Sequence, residues 1–212
     1  MMRTTLALGA WLACATVAQA NAIDNLDNFI KTAKSGRSEF TQVVTAPARE
    51  GQAPRVKTSS GTFEFQRPNR FRFVYKKPFE QTIVADGQTL WLYDVDLKQV
   101  TQRKQAKVLG STPAALIAAS PDLETLKRDF DLQALPDKEG QQWVQATPRQ
   151  KEGQLTSMKV GFRGAELATL DILDSFGQRS VLSFTGMQLN AGVGADAFKF
   201  QPPQGVDVVQ GP

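Results

Sequence analysis

The chain has 212 residues, with 25 Lys+Arg against 21 Asp+Glu, no histidine and one cysteine. That composition excludes Ser-His and Cys-His nucleophile arrangements, internal disulfides and nearly all zinc sites. The net charge of +4 is a mild excess and weak support for a nucleic-acid partner.

Arg3 followed by the apolar stretch Leu6 to Val17 and by Ala18-Gln19-Ala20 reads as a secretory signal with its small-residue cleavage site. The apolar stretch is too short to span a bilayer. Cys14 lies within it; because Trp11 stands where lipidated-cysteine sites carry leucine, cleavage after Ala20 is expected instead, giving a soluble, unlipidated chain that begins near Asn21 and carries a net charge of +3 once Arg3 is lost. Residues 21–212 then form one domain, with no internal repeat or linker. Lacking disulfides, it relies on its apolar core.

Ile23, Leu26, Phe29, Ile30 and Ala33 recur at helical spacing and predict an opening amphipathic helix that ends at Gly36. From Ser38 the period becomes two: Phe40, then, after a polar loop around residues 46–57, Phe63 and Phe65, then Phe71, Phe73 and Tyr75. Asp86-Gly87 between residues 81–85 and 88–93 predicts a hairpin. In its second strand Leu90 and Leu92 share one face and Trp91 and Tyr93 the other, so both faces are covered, and the pattern leaves open which looks inward. Thr112-Pro113 opens a short apolar helix containing Leu116 and Ile117, and Ser120-Pro121 opens a second, more polar one to Phe130. Strand rhythm resumes over 131–135, 142–147, 155–162, 167–174 and 179–189. About eleven short strands at such spacing predict a mainly β fold with short helices, an antiparallel sheet curling into all or part of a barrel.

Candidate chemistry is sparse. Asp94 and Asp96 share a strand face and offer a carboxylate pair or metal ligands, but with no further ligand cluster they read as a solvated strand end. Gly192-Val193-Gly194 lacks the third glycine and the strand-to-helix setting of a dinucleotide loop. No catalytic residue, metal or cofactor is expected, and the chain does not read as an enzyme. The stretch Arg67 to Pro78 mixes cations with rings as single-stranded nucleic-acid grooves do. The pleat separates them, however, placing Phe71, Phe73 and Tyr75 on one face and Arg70, Arg72 and Lys76 on the other. An apolar inner wall and a basic outer one do not suit nucleic acid. Arg67, before Pro68 at a strand corner, is either an exposed turn cation or turned inward onto backbone carbonyls.

Residues 61–103, with their RP-x-x-F, P-x-x-Q-x-I-V-x-D-G and L-W-x-Y-D elements, closely resemble the LolA family of periplasmic outer-membrane lipoprotein carriers; so do residues 38–42, 112–117 and 198–208. The resemblance implies an unclosed antiparallel barrel of eleven strands, with a lid of three short helices over an apolar chamber for lipoprotein acyl chains. It implies a monomer working in the periplasm, which takes cargo from an ATP-driven inner-membrane releasing complex and hands it to an outer-membrane receptor of similar fold. It also implies that Arg67 bonds to the lid and holds the empty chamber shut, and that Phe71 matters for receiving cargo. On this reading Phe71, Phe73, Tyr75, Leu90, Trp91, Leu92, Leu116 and Ile117 line the chamber or its lid, while Arg70, Arg72 and Lys76 dock acidic patches on the membrane complexes. Some members carry a longer C-terminal extension with an extra strand; with the chain stopping at Pro212, a role for such a tail is not expected. The alternatives are a module of the same fold that senses mislocalised lipoproteins or carries another amphiphile, such as a glycolipid, and an exported carboxylate-dependent hydrolase.

Overall fold

The computed structural model describes residues 21–48, 50–108, 120, 122–150, 154–194 and 196–211. The expected signal segment and the Thr112 helix, with Leu116 and Ile117, lie outside the described residues.

Helix α1 (Ala22–Thr32) starts at Asn21, whose side chain accepts from the Ile23 N–H while Asp24 accepts from the Asn21 N–H, a reciprocal cap. Its stripe of Ala22, Leu26, Phe29 and Ile30 is buried. The helix ends before the predicted Gly36, because Ser35 already begins β1 (Ser35–Thr45). Then follow β2 (Val56–Gln66), β3 (Arg70–Lys77), β4 (Gln81–Asp86), β5 (Thr89–Asp94), β6 (Gln99–Lys104), the single turn α2 (Gln105–Val108), α3 (Leu123–Asp129), β7 (Phe130–Lys138), β8 (Gln141–Pro148), β9 (Leu155–Arg163), β10 (Glu166–Asp174), β11 (Arg179–Leu189) and β12 (Asp207–Gln210). The cap of α3 is Asp122, which accepts from the Thr125 N–H at 2.6 Å, rather than the expected Ser120.

The described strands form one sheet in the order β12-β6-β5-β4-β3-β2-β1-β11-β10-β9-β8-β7. Its ends, β12 and β7, are not paired to each other, so the curled sheet is an open trough. The eleven-strand, wholly antiparallel expectation is corrected by β12, which runs parallel to β6. This last strand spans only Asp207–Gln210, follows two prolines and has no alternating pattern, so nothing local announces it.

The concave face carries the core. Phe40, Phe63, Phe65, Phe71, Phe73 and Phe184 are buried there with Met158, Phe162 and Leu170 from the opposite wall. Rings meet edge-on or stacked, Phe40 with Phe73 at 5.3 Å and Phe63 with Phe73 at 4.5 Å between centroids. Beside them a glycine lets two strand backbones approach closely. Gly61 pairs with Phe40 on one side and Tyr75 on the other, and a Cβ there would stand 1.9 Å from the Val74 carbonyl oxygen.

Candidate functional site

Two features share the concave face. At the end of the trough where β2 turns into β3, helix α1 lies across the sheet, its Phe29 ring 6.1 Å from Phe65 and 5.8 Å from Phe162. Only a void of about 20 Å³ remains between α1, α3 and strands β8 to β10. Toward the opposite end the helices leave a cavity of about 310 Å³, walled by Phe71, Phe73, Ile83, Leu170, Ile172 and Leu182. Polar groups gather only at its mouth, where the Tyr75 hydroxyl donates to Gln42 Oε1 at 3.0 Å and Gln42 Nε2 donates to Ser180 Oγ at 2.6 Å. Burial pushes the Tyr75 phenol up to about 12.

Arg67 sits at the β2–β3 corner and turns inward. Its Nε donates to the Ala33 carbonyl at the end of α1 (2.9 Å), and its Nη1 donates to the Ser120 carbonyl ahead of α3 (2.9 Å). The guanidinium lies 5.8 Å from the centroids of both Phe29 and Phe65. Burial lowers its pKa to about 10, so it stays charged at neutral pH, and Nη2 has no hydrogen-bond partner among the described residues. One cation therefore joins the sheet corner to the segment leaving α1 and to the segment entering α3.

Of the residues singled out in the sequence, Phe71, Phe73 and Tyr75 are brought together on the cavity wall. Leu90 is buried in the same core, paired through Ala85 to Phe71, and Leu92 shares its face opposite Ile83. Trp91 is a correction. It points to the convex face, where its ring packs 5.6 Å from Phe200, Tyr93 lies 6.1 Å from the same ring, and Val84, Val100 and Phe198 are buried. The chain after β11 thus covers a second, smaller apolar patch, which explains why both faces of β5 are apolar. On the outer face Arg70 and Lys76 are exposed, whereas Arg72 is half-buried between Glu64 and Val84 in register. Asp94 and Asp96 lie at the β5–β6 turn, where Asp94 accepts from the Leu97 N–H at 3.0 Å; among the described residues no group of three or more acidic, His or Cys side chains forms a metal site.

Gln42, Ile83, Leu170, Ile172 and Leu182 were not singled out from the sequence. Their signal is strand parity carried across the turns: Ile83 pairs with Phe73, and Leu170 with Leu182. A fully buried Gln105 was missed as well; it accepts from the Gly87 N–H and donates to the Asn69 carbonyl, stapling the predicted Asp86-Gly87 hairpin to the corner after Arg67.

A family profile described as outer membrane lipoprotein carrier protein LolA matches residues 31–201. The chain is 65% identical over 202 residues to an outer-membrane lipoprotein carrier protein of Albidiferax ferrireducens, covering 93% of this chain and 95% of that one. It is 52% identical over 209 residues to the protein of that name from Methylibium petroleiphilum, covering 99% of each. Among solved structures, a conserved protein from Thermus thermophilus superposes with a TM-score of 0.51 at 12% identity, over 89% of this chain and 96% of that one, a likeness of fold alone. With the profile spanning most of its length and such relatives matching it nearly end to end, this chain belongs to the outer membrane lipoprotein carrier family, LolA.

Proposed function

We infer that this protein is a carrier, not an enzyme, which shelters the acyl chains of lipoproteins in its concave cavity while they cross the periplasm. It would receive them from an ATP-driven inner-membrane complex and surrender them to an outer-membrane receptor. The observation that carries the reading is Arg67, bonded to carbonyls on both helical segments beside a cavity walled by rings and aliphatic side chains.

Magnitudes explain why such a cavity is kept small and latched. Sheltering acyl chains is worth about 0.8 kcal/mol per CH₂, so two sixteen-carbon chains would gain about 25 kcal/mol. Non-covalent affinities level off near 18 to 21 kcal/mol, and a rigid, complementary pocket would not release its cargo. The cavity of about 310 Å³ is at the low end of ligand pockets, which run from roughly 300 to 1,000 Å³. Cargo must therefore displace the helices. That breaks the Arg67 bonds, worth about 1.5 to 3 kcal/mol each, and uncovers Leu26, Phe29 and Ile30 on α1, each about 1.5 to 3 kcal/mol of lost burial. These costs offset much of the gain and leave binding reversible.

The purified protein, added to inner-membrane spheroplasts, should release a lipidated lipoprotein as a soluble complex. Arg67→Leu should fold, acquire cargo and fail in delivery to outer-membrane vesicles. Delivery by this variant at the wild-type rate would refute the latch, and no soluble complex with either protein would refute the carrier.

A further inference from the structure

The exposed large hydrophobic side chains of the described residues, apart from the pair on β12, all stand at one end of the trough. Val56 (61% exposed), Phe79 (59%), Leu97 (71%) and Phe176 (73%) come from the start of β2 and from the β3–β4, β5–β6 and β10–β11 turns. That is the end opposite Arg67, where the cavity opens, and Phe176 lies on the cavity lip.

These turns touch one another. A Cβ on Gly177 would lie 3.8 Å from Pro47 in the β1–β2 loop, the Lys57 ammonium sits 5.1 Å from the Phe79 ring centroid, and the Val95 N–H donates to the Glu80 carbonyl at 3.2 Å. A second hollow lined by Lys57, Phe79 and Leu97 shares Gln42, Val44 and Tyr75 with the cavity, so the rim leads directly into it.

The charge on the rim has a sign. From the β1–β2 loop to the β5–β6 turn the exposed cations are Arg55, Lys57, Lys76, Lys77 and Lys98, and the exposed acids are Glu50, Glu80 and Asp96. Asp94 and Asp174 are drawn into their own turns by backbone N–H groups. Arg55, Lys57, Lys76 and Lys77 flank Val56 and Phe79 on the adjoining ends of β2 and β3, so aromatic and aliphatic groups project among cations. Exposed apolar groups gathered at one end mark an interaction surface, and an anionic bilayer matches both parts: the apolar groups enter the acyl boundary and the cations meet the headgroups.

We propose that this rim is a bilayer-docking surface, which seats the mouth of the cavity on an anionic leaflet. Seated there, the mouth faces hydrocarbon instead of water, and a lipid tail passes between bilayer and cavity without crossing solvent.

The test uses protein purified from the periplasm and vesicles that contain phosphatidylethanolamine and phosphatidylglycerol but no lipoprotein, so its outcome is independent of cargo carriage. The protein should float with these vesicles, not with phosphatidylcholine alone, and binding should weaken as salt rises from about 0.01 M to about 1 M. Lys76→Gln with Lys77→Gln should lower partitioning roughly 30-fold, from about fivefold per cation at the headgroup level. Phe79→Glu with Leu97→Glu should abolish flotation. Val208→Gln with Val209→Gln, a charge-neutral change at the less exposed apolar pair on β12 (47% and 39%), should leave it unchanged, circular dichroism confirming that every variant is folded. Three results would each overturn the proposal: no flotation with anionic vesicles at low salt, equal loss in the β12 control, or rim variants that float normally and lose only capture by an acidic protein partner.

Discussion

Arg67 is charged, half-enclosed and bonded to two carbonyls that lie 34 and 53 positions away in the chain. A lysine keeps the charge but presents a single compact ammonium instead of a planar fork, and it cannot hold both carbonyls. Arg67→Lys should stay folded while amide exchange across α1 quickens by roughly 10- to 100-fold, as expected for losing one charge-assisted bond; unchanged exchange would mean that α1 is held by packing alone. Tyr75 offers a separate check. Its phenol is held up to about 12 against an ordinary 10.0, so below pH 10 it is neutral both folded and unfolded and adds no pH dependence. Between 10 and 12 the unfolded chain loses the proton and the folded one keeps it, so stability falls with rising pH. A phenolate absorbance step near pH 12, absent from Tyr75→Phe, is the expected signature. The sequence displayed Arg67 before Pro68 but not its direction, because its partners are distant in sequence; only the resemblance pointed inward. Phe71, Phe73 and Tyr75 were legible because alternation alone puts them on one face.

Elements were legible wherever a period was unbroken. The helical stripe from Leu26 to Ile30 and the strands from Phe63 to Tyr75 follow their patterns, and Asp86-Gly87 makes its turn with Asp86 accepting from the N–H groups of Gln88 and Thr89. What failed was a strand with two apolar faces. Parity can sort Leu90 from Trp91, but which side is the core depends on Phe198 and Phe200, over a hundred residues later. Two predictions belong at this scale. Gly61→Ala drives a Cβ into the Val74 carbonyl and should cost about 1 to 3 kcal/mol, lowering Tm by roughly 2 to 12 °C in a domain of this size; a wild-type Tm would show that β2 and β3 can part freely. Asn21→Ala removes the reciprocal cap of α1 and should cost about 1 kcal/mol, measured by denaturant titration.

At the scale of the whole molecule, the sheet divides into an end filled by α1 and a hollow end. Neither described tryptophan reports on the hollow: Trp91 lies against Phe200 on the convex side, and the Trp143 indole donates to the Lys138 carbonyl. Fatty acid added to the protein should leave tryptophan emission unshifted, while Tyr75→Trp, at the mouth, should respond; a shift in the unaltered protein would contradict this placement.

The free margins of the sheet, β7 and β12, carry a further meaning. No ladder bond spans the gap between them, and Pro136 on β7 has no N–H to recruit a neighbour there. The trough is built as a split cuff: with no pair of strands to unzip, its girth should grow by flexing, so that on the carrier reading one wall would fit both bulky and slender loads.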